Sequence, residues 1–141
     1  MPDKTKLRDL FAQGMETRRA VLGDAHVDGA EASQTEFDAP FQAMITESAW
    51  GSVWSRPYWE KRERSIVTIA LLAALGHDEE LAMHVRATRK TGATREDVRE
   101  AMMHVAIYAG VPAANRAIKI IKQTYADMER QPTTDDRGAG R

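Results

Sequence analysis

The chain has 141 residues, a formal net charge of −1 and no cysteine. This length suits one domain that buries roughly two thirds of its unfolded surface. A nucleic-acid-binding surface normally carries a basic excess, so we expect no nucleic-acid partner. The missing cysteine excludes disulfide bonds, thiolate nucleophiles and thiolate metal sites. There is no apolar run of membrane-spanning length and no apolar signal region in MPDKTKLRDL, so we expect a cytoplasmic protein without a membrane partner.

Hydrophobic spacing predicts two helices before the middle of the chain. Apolar side chains fall near one side of residues 4–22, which predicts a helix that ends at Gly23. Residues 24–35 are small and polar, which predicts a loop with a short helical turn. Apolar side chains at helical spacing over residues 37–49 predict the second helix.

The segment WGSVWSRPYWE, residues 50–60, is rich in aromatic side chains and contains Gly and Pro. We expect it to be an irregular connection between helices. It could cover the hydrophobic core, or it could form the wall of a pocket, since ligand pockets are mostly apolar with a few fixed polar groups. In the second case Trp54 would line the pocket and Arg56 could hold an anion.

A pair of helices is predicted in residues 60–92. Residues 66–75 are apolar on nearly every side, which is typical of a helix buried in the middle of a protein. Gly76 is expected to end this helix, and Asp78 to cap the next one, which Gly92 ends.

Two more helices are predicted in the C-terminal third. Thr94 and Asp97 have the spacing of a capping box at a helix start. Gly110 and Pro112 mark a stop followed by a new start, with an apolar stripe over 112–129. The buried face of the first of these helices is expected to hold Val98, Ala101, Met102, Val105 and Ala109.

No segment has a convincing strand pattern, so the predicted fold class is all-α, with about six helices and no sheet. Residues 1–130 are expected to form a single helical domain. Residues 131–141 are too polar to bury a core and are expected to be a disordered tail.

One acid and one imidazole are predicted to lie together on the second central helix. Leu81, His84, Val85 and Thr88 are spaced i, i+3, i+4 and i+7, so His84 points inward with the apolar stripe. Glu80 lies one turn earlier on the same side. The two side chains could be an acid–base pair, or His84 could be a core histidine bonded to a nearby carboxylate.

The other histidines indicate no further site. Glu100 and His104 repeat the i, i+4 spacing, but di-metal helical bundles normally use i, i+3 together with further carboxylates, so we expect no metal. His26 is expected to be a loop residue. No glycine-rich phosphate loop or nucleotide fingerprint is present.

Four separated segments resemble the carboxymuconolactone decarboxylase family. They are RRAVLGDAHVD at 18–28, the WGxxWxRP pattern at 50–57, HVRA at 84–87 and AIYAGVPAAN at 106–115. The resemblance runs from about residue 7 to about residue 128. It implies the helical fold shared with alkylhydroperoxidase D, assembled as a homo-oligomer of trimer-based rings, most often hexamers.

The resemblance also implies an activity. This is the cofactor-free decarboxylation of 4-carboxymuconolactone, a dicarboxylate lactone, to the beta-ketoadipate enol-lactone in protocatechuate catabolism. Rival interpretations are a paralogue that acts on a related lactone or hydrates an alkene, and a non-catalytic helical oligomer that binds a small acid.

The resemblance implies a position for one site residue, and the chemistry of the reaction suggests the others. His84 matches the superfamily histidine, while the two cysteines of the thiol enzymes would fall at His77 and Glu80, which excludes thiol peroxidase chemistry. We expect His84 and Glu80 to handle the proton and the oxyanion. The substrate carboxylates need cationic partners, for which we expect Arg56, Arg62, Arg64 and Arg86, beside Trp54.

Overall fold

A computed structural model describes residues 4–131, with side chains from residue 9 onward. All regular structure in this range is helical, which confirms the all-α class. None of these helices is long and apolar enough to cross a membrane. The expected tail lies outside the described residues except for Gln131. The elements are α1 (Lys4–Leu22), α2 (Asp24–Ser33), α3 (Ala39–Ile45), a π-helix (Thr46–Val53), α4 (Lys61–Leu75), α5 (Asp78–Thr91), α6 (Arg95–Tyr108) and α7 (Val111–Arg130).

The chain divides into two compact units. The first contains the chain up to Arg64 together with Lys90–Gly92, and the second contains Ser65–Arg89 and the chain from Ala93 onward. Helix α4 begins in the first unit and continues into the second. The expectation of one domain over residues 1–130 stays a prediction.

In the first unit the π-helix packs against α1 with main chain close to main chain. A Cβ atom on Gly14 would lie 2.0 Å from the carbonyl oxygen of Thr46, and one on Gly51 would lie 2.5 Å from that of Leu10. The Gln13 side chain donates a hydrogen bond of 2.8 Å to the Gly51 carbonyl. Glycine at both positions therefore allows an approach that no other residue permits.

The prediction of a loop over residues 24–35 is wrong, because α2 occupies most of this segment. Gly23 has φ 92°, which lets the chain turn sharply between α1 and α2, and Val27 is fully buried. Arg19 of α1 also forms ion pairs of 3.1, 2.9 and 3.4 Å with one face of α2, at Asp24, Asp28 and Glu31. The helix is therefore held to α1 by one buried apolar residue and by a set of ion pairs with a single arginine.

The segment after α2 also differs from the prediction. The helix expected from residue 37 begins at Ala39, and Phe37 is 95% exposed in the preceding turn. Residues 50–53, expected to be irregular, belong to the π-helix. The last wide turn is closed by a 2.8 Å hydrogen bond from the Trp54 N–H to the Ala49 carbonyl. Rings of Trp50 and Trp54 pack 5.2 Å apart inside this unit.

The core of the second unit is built from one stripe of each of its helices. On α4 this stripe holds Ile69 and Ala73, while Leu71 and Leu75 are 56% and 68% exposed. In a single chain α4 is therefore not buried on all sides, and the prediction that it is buried is wrong there. The second unit covers only one side of the helix. The buried cluster includes Ile69, Leu81, Val85, Val98, Met102, Val105, Ala114 and Ile121.

Helix boundaries in this unit follow local chemistry. The predicted capping box is confirmed, since Thr94 Oγ1 accepts from the Asp97 N–H at 3.0 Å and Asp97 accepts from the Thr94 N–H at 2.9 Å. Gly110 has φ 109° and Pro112 lies in the first turn of α7, as expected. Ala109 was expected in the buried face, but it follows the last turn of α6 and is exposed.

Candidate functional site

The expected site residues fall in both units of the chain. The first unit holds Trp54, Arg56, Arg62 and Arg64, and the second holds Glu80, His84 and Arg86.

His84 is a buried histidine on α5. Gly76, with φ 74°, follows the end of α4, and Gly92, with φ 85°, follows the end of α5, which confirms both predicted helix ends. His84 is 7% exposed, and it shares the inner face of α5 with the buried residues Leu81 and Val85. The inward orientation predicted from spacing is therefore confirmed. An imidazole in such surroundings has little contact with bulk water, which strengthens its interaction with any charge that develops nearby.

Glu80 occupies a different environment from His84. Its side chain is exposed, and it makes no hydrogen bond or ion pair with another residue in the described range. The two side chains lie one turn apart on α5 but are not hydrogen-bonded to each other. Their partnership as an acid–base pair stays a prediction.

Asp78 is the first residue of α5 and does not serve as its cap. Its carboxylate accepts two hydrogen bonds from Arg116 Nε of α7, at 3.2 and 3.1 Å, and a further one from Nη2. This guanidinium holds the pKa of Asp78 below its ordinary value. The N-terminus of α5 is thereby tied to α7.

The aromatic segment divides into a buried and an exposed half. Trp54 is buried beside Trp50, whereas Tyr58 and Trp59 are exposed. The first half therefore covers the interior of the first unit, and the second half is a surface loop. We call residues 54–60, between the π-helix and α4, the Trp54 loop.

The arginines expected to bind carboxylates are not equivalent. Arg56, in the Trp54 loop, is exposed, and its guanidinium contacts no other described residue by a hydrogen bond or ion pair. Arg62 and Arg86 are also exposed. Arg64 is only 8% exposed, and its Nη2 donates a 2.9 Å hydrogen bond to the carbonyl of Arg56.

Lys61 is a functional candidate that sequence reasoning missed. Its Nζ donates a 2.6 Å hydrogen bond to the carbonyl of Trp54. Burial, and then the neighbouring charge of Arg64, lower the pKa of the Lys61 ammonium. In the sequence, nothing distinguishes Lys61 from a solvated lysine at the start of a helix.

The remaining histidines are surface residues. His104 of α6 is exposed and stacks on Tyr108 with ring centroids 6.2 Å apart. Its expected neighbour Glu100 is also exposed. His26 lies on α2 and not in a loop, which corrects its assignment. Within residues 4–131 no group of three or more His, Asp or Glu side chains has the arrangement of a metal site.

The second unit also carries an apolar cleft of about 450 Å³ beside α6 and α7. Met102 and Ile121 contribute to its lining, and so does Ile118 of the apolar stripe predicted over residues 112–129, which is 41% exposed. Exposed apolar side chains at the cleft and in the same two helices form a set that we call the α6–α7 face: Met103 and Val111, which line the cleft, and Ile107 and Tyr108.

Comparison with known sequences defines the class of protein. The sequence pattern of the carboxymuconolactone decarboxylase family matches residues 39–123, more than half of the chain. A 4-carboxymuconolactone decarboxylase from Acinetobacter baylyi is 41% identical over 122 residues, covering 86% of this chain and 91% of that protein. The chain therefore belongs to the carboxymuconolactone decarboxylase family.

Two further relatives are informative. A nitrosuccinic acid decarboxylase from Metarhizium robertsii is 38% identical over 121 residues, covering 86% of this chain and 85% of that protein. A 4-carboxymuconolactone decarboxylase sequence from Pseudomonas putida is 55% identical over 41 residues, covering 29% of this chain and 85% of that sequence.

Proposed function

We propose that this protein is a carboxy-lyase that converts 4-carboxymuconolactone to the beta-ketoadipate enol-lactone in aromatic catabolism. The observation that carries the proposal is the 41% identity to a 4-carboxymuconolactone decarboxylase over 91% of that protein's length. Sequence identity at this level over most of the length of both chains is expected when two proteins share both their fold and their site.

The reaction suits a helical protein without a redox group, because the substrate contains its own electron sink. The bond between the ring carbon and its carboxylate breaks, and the electron pair moves through the ring alkene into the lactone carbonyl. The ring becomes a furan-like enolate, and a proton then adds to the carbon next to the carbonyl carbon. The protein must hold the second carboxylate, stabilise the oxyanion and supply that proton.

The side chains described above offer a group for each task. At least one arginine among Arg56, Arg62, Arg64 and Arg86 binds the carboxylate of the acetate arm, since a guanidinium matches a carboxylate with two parallel hydrogen bonds. His84 stabilises the oxyanion, because an interaction with a developing charge is strongest where water is excluded. Glu80 protonates the ring carbon, or the two residues exchange these roles.

A second candidate substrate is nitrosuccinate, favoured by the 38% identity to a nitrosuccinic acid decarboxylase. Both compounds are dicarboxylic acids in which one carboxylate leaves and an adjacent group accepts the electron pair, a nitro group in this case. The same anchor and oxyanion-stabilising group could therefore serve either reaction.

Carbon dioxide release from each compound, measured with the same purified protein, separates these possibilities. We expect kcat/KM for the lactone to exceed that for nitrosuccinate by at least about 10²-fold, the range in which pocket contacts discriminate between substrates. A preference in the opposite direction would make nitrosuccinate the better assignment. Release from neither would support a binding protein.

The proposal includes a homo-oligomer built on trimers, most often a hexamer, acting in the cytoplasm. The support for assembly is the exposed apolar surface of Leu71 and Leu75 on α4 and of the α6–α7 face. Cell fractionation tests the location.

A further inference from the structure

The Trp54 loop is held by two cations from the first turn of α4. Lys61 Nζ donates to the Trp54 carbonyl at 2.6 Å, and Arg64 Nη2 donates to the Arg56 carbonyl at 2.9 Å. These bonds fasten the loop at two points, two residues apart. The residue whose carbonyl is held by Arg64 is the same arginine whose guanidinium is exposed.

The contacts of Arg64 leave it poorly suited to bind a substrate carboxylate. Its Nη2 is used by the Arg56 carbonyl, its guanidinium carbon lies 5.9 Å from the ring centroid of Trp59, and its Nε is buried without a hydrogen-bond partner among the described residues. A carboxylate needs two accessible N–H groups on one edge of the guanidinium. Arg56 is exposed and has its whole edge available.

The charge of the two clamping residues is not neutralised locally. Neither Lys61 nor Arg64 forms an ion pair with an acid in the part of the chain that the structure describes. Burying a cation without a counterion is costly, and hydrogen bonds to neutral carbonyls offset only part of that cost. A carboxylate bound at the Trp54 loop would compensate this charge, which favours an anion there.

We propose that Lys61 and Arg64 are positioning residues that hold the Trp54 and Arg56 carbonyls, so that the Arg56 guanidinium is the group that contacts the non-reacting carboxylate of a small dicarboxylic acid. The inference rests on the proposed decarboxylase function and selects one arginine of the four expected. Two-point recognition of a carboxylate depends on the orientation of the guanidinium plane, so a loosened loop weakens binding without altering the reacting groups.

A double-mutant cycle between Arg56 and Lys61 tests this inference, with KM and kcat for the lactone measured separately. We expect Arg56→Lys to raise KM about tenfold, because lysine cannot make the paired hydrogen bonds. Lys61→Met should raise KM while kcat stays within about twofold, and Lys61→Arg should restore KM by keeping a charged donor. In the double variant Arg56→Lys with Lys61→Met, KM should stay within about twofold of Arg56→Lys alone, because the positioned group is already lost.

Lys119→Met is the matched control, since Lys119 is an exposed lysine on α7, and it should leave both constants unchanged. Lys61→Gln serves the same cycle if Lys61→Met does not fold. Multiplicative effects of the two changes on KM, or a fall in kcat at constant KM, would overturn the inference alone. No carbon dioxide release by the unaltered protein would overturn the proposed function and this inference with it.

Discussion

His84 has the surroundings of a group that acts away from bulk water. It is buried on the inner face of α5, whereas His104 is exposed on α6. If His84 stabilises charge or transfers a proton in the reaction, its removal should affect turnover far more than stability. General acid–base steps contribute about 10²–10⁴-fold to enzyme rates.

We therefore expect His84→Ala to lower kcat by at least about 10²-fold, with circular dichroism and oligomer size unchanged. His104→Ala is the control and should keep kcat near that of the unaltered protein. Lost stability with normal kcat in the remaining folded fraction would instead identify His84 as a core histidine. The kcat and the stability of each variant should be measured on the same preparation.

How far the site could be predicted depends on what holds each residue in place. The orientation of His84 follows from helical spacing alone, because the apolar stripe of α5 fixes which side faces inward. The hydrogen bonds of Lys61 and Arg64 go to carbonyls of an irregular loop, whose path no periodicity describes. For this reason these bonds could not be predicted from the sequence, and Lys61 was not among the expected site residues.

At the scale of elements, α1 packs main chain to main chain against the π-helix, which precedes the Trp54 loop. Replacing Gly14 with alanine would place a methyl group 2.0 Å from the Thr46 carbonyl oxygen. Main chain cannot yield as a flexible side chain can, so we expect Gly14→Ala to lower the free energy of unfolding by about 2 kcal/mol or more.

The control for this prediction is Gly29→Ala in α2 of the same unit, where nothing lies within 4 Å of the added carbon. Alanine favours a helix over glycine by about 1 kcal/mol, so this variant should be as stable as the unaltered protein or more so. Urea unfolding midpoints measure both. Equal stability of the two variants would contradict the close approach of α1 and the π-helix.

The tie between α5 and α7 predicts a dependence of stability on acid. Arg116 lowers the pKa of Asp78 in the folded chain, so the folded state binds this proton less readily than the unfolded state. The resulting stability is present above the ordinary aspartate pKa of 3.8 and is lost as pH falls toward the lowered folded pKa. Asp78→Asn should therefore be less stable than the unaltered protein at neutral pH. This difference in stability between the two proteins should shrink below a pH of about 4. If the free energies of unfolding of the two proteins changed with pH in the same way, the pair would contribute nothing to the dependence of stability on acid.

Elements could be predicted where their signals are local. The capping box of Thr94 and Asp97 and the glycine boundary at Gly110 involve neighbours in sequence, and both were confirmed. Helix α2 was missed because its single buried residue is Val27 and its acids pair with Arg19 of the preceding helix. The π-helix was missed because its wider turn accompanies packing against α1, which is distant in sequence: the hydrogen bond from Gln13 to Gly51 spans 38 residues.

At the scale of the whole molecule, the exposed apolar surface supports the proposed assembly. Leu75 of α4 and Ile107 and Tyr108 of the α6–α7 face are all more than two thirds exposed in one chain, at 68%, 78% and 85%. Exposed patches of this kind mark interaction sites in proteins that do not stay monomeric. The proposed assembly would bury the exposed side of residues 66–75 between subunits and so account for their all-round apolar character.

Light scattering should accordingly give a mass that is a multiple of three chains of 15.7 kDa, most often six. Ile107→Glu should shift the protein toward smaller species, because a charge would be buried at the interface. Lys119→Glu changes an exposed polar residue and is the control. A monomer at micromolar concentration would count against assembly.

The reaction itself can be followed by nuclear magnetic resonance in heavy water, starting from 4-carboxymuconolactone. Decarboxylation followed by protonation of the ring predicts one carbon dioxide per turnover and one deuterium at the carbon next to the lactone carbonyl of the enol-lactone. A product that keeps both carboxylates, as from alkene hydration, or an unchanged substrate would contradict the assignment of this chain as a carboxy-lyase for the lactone.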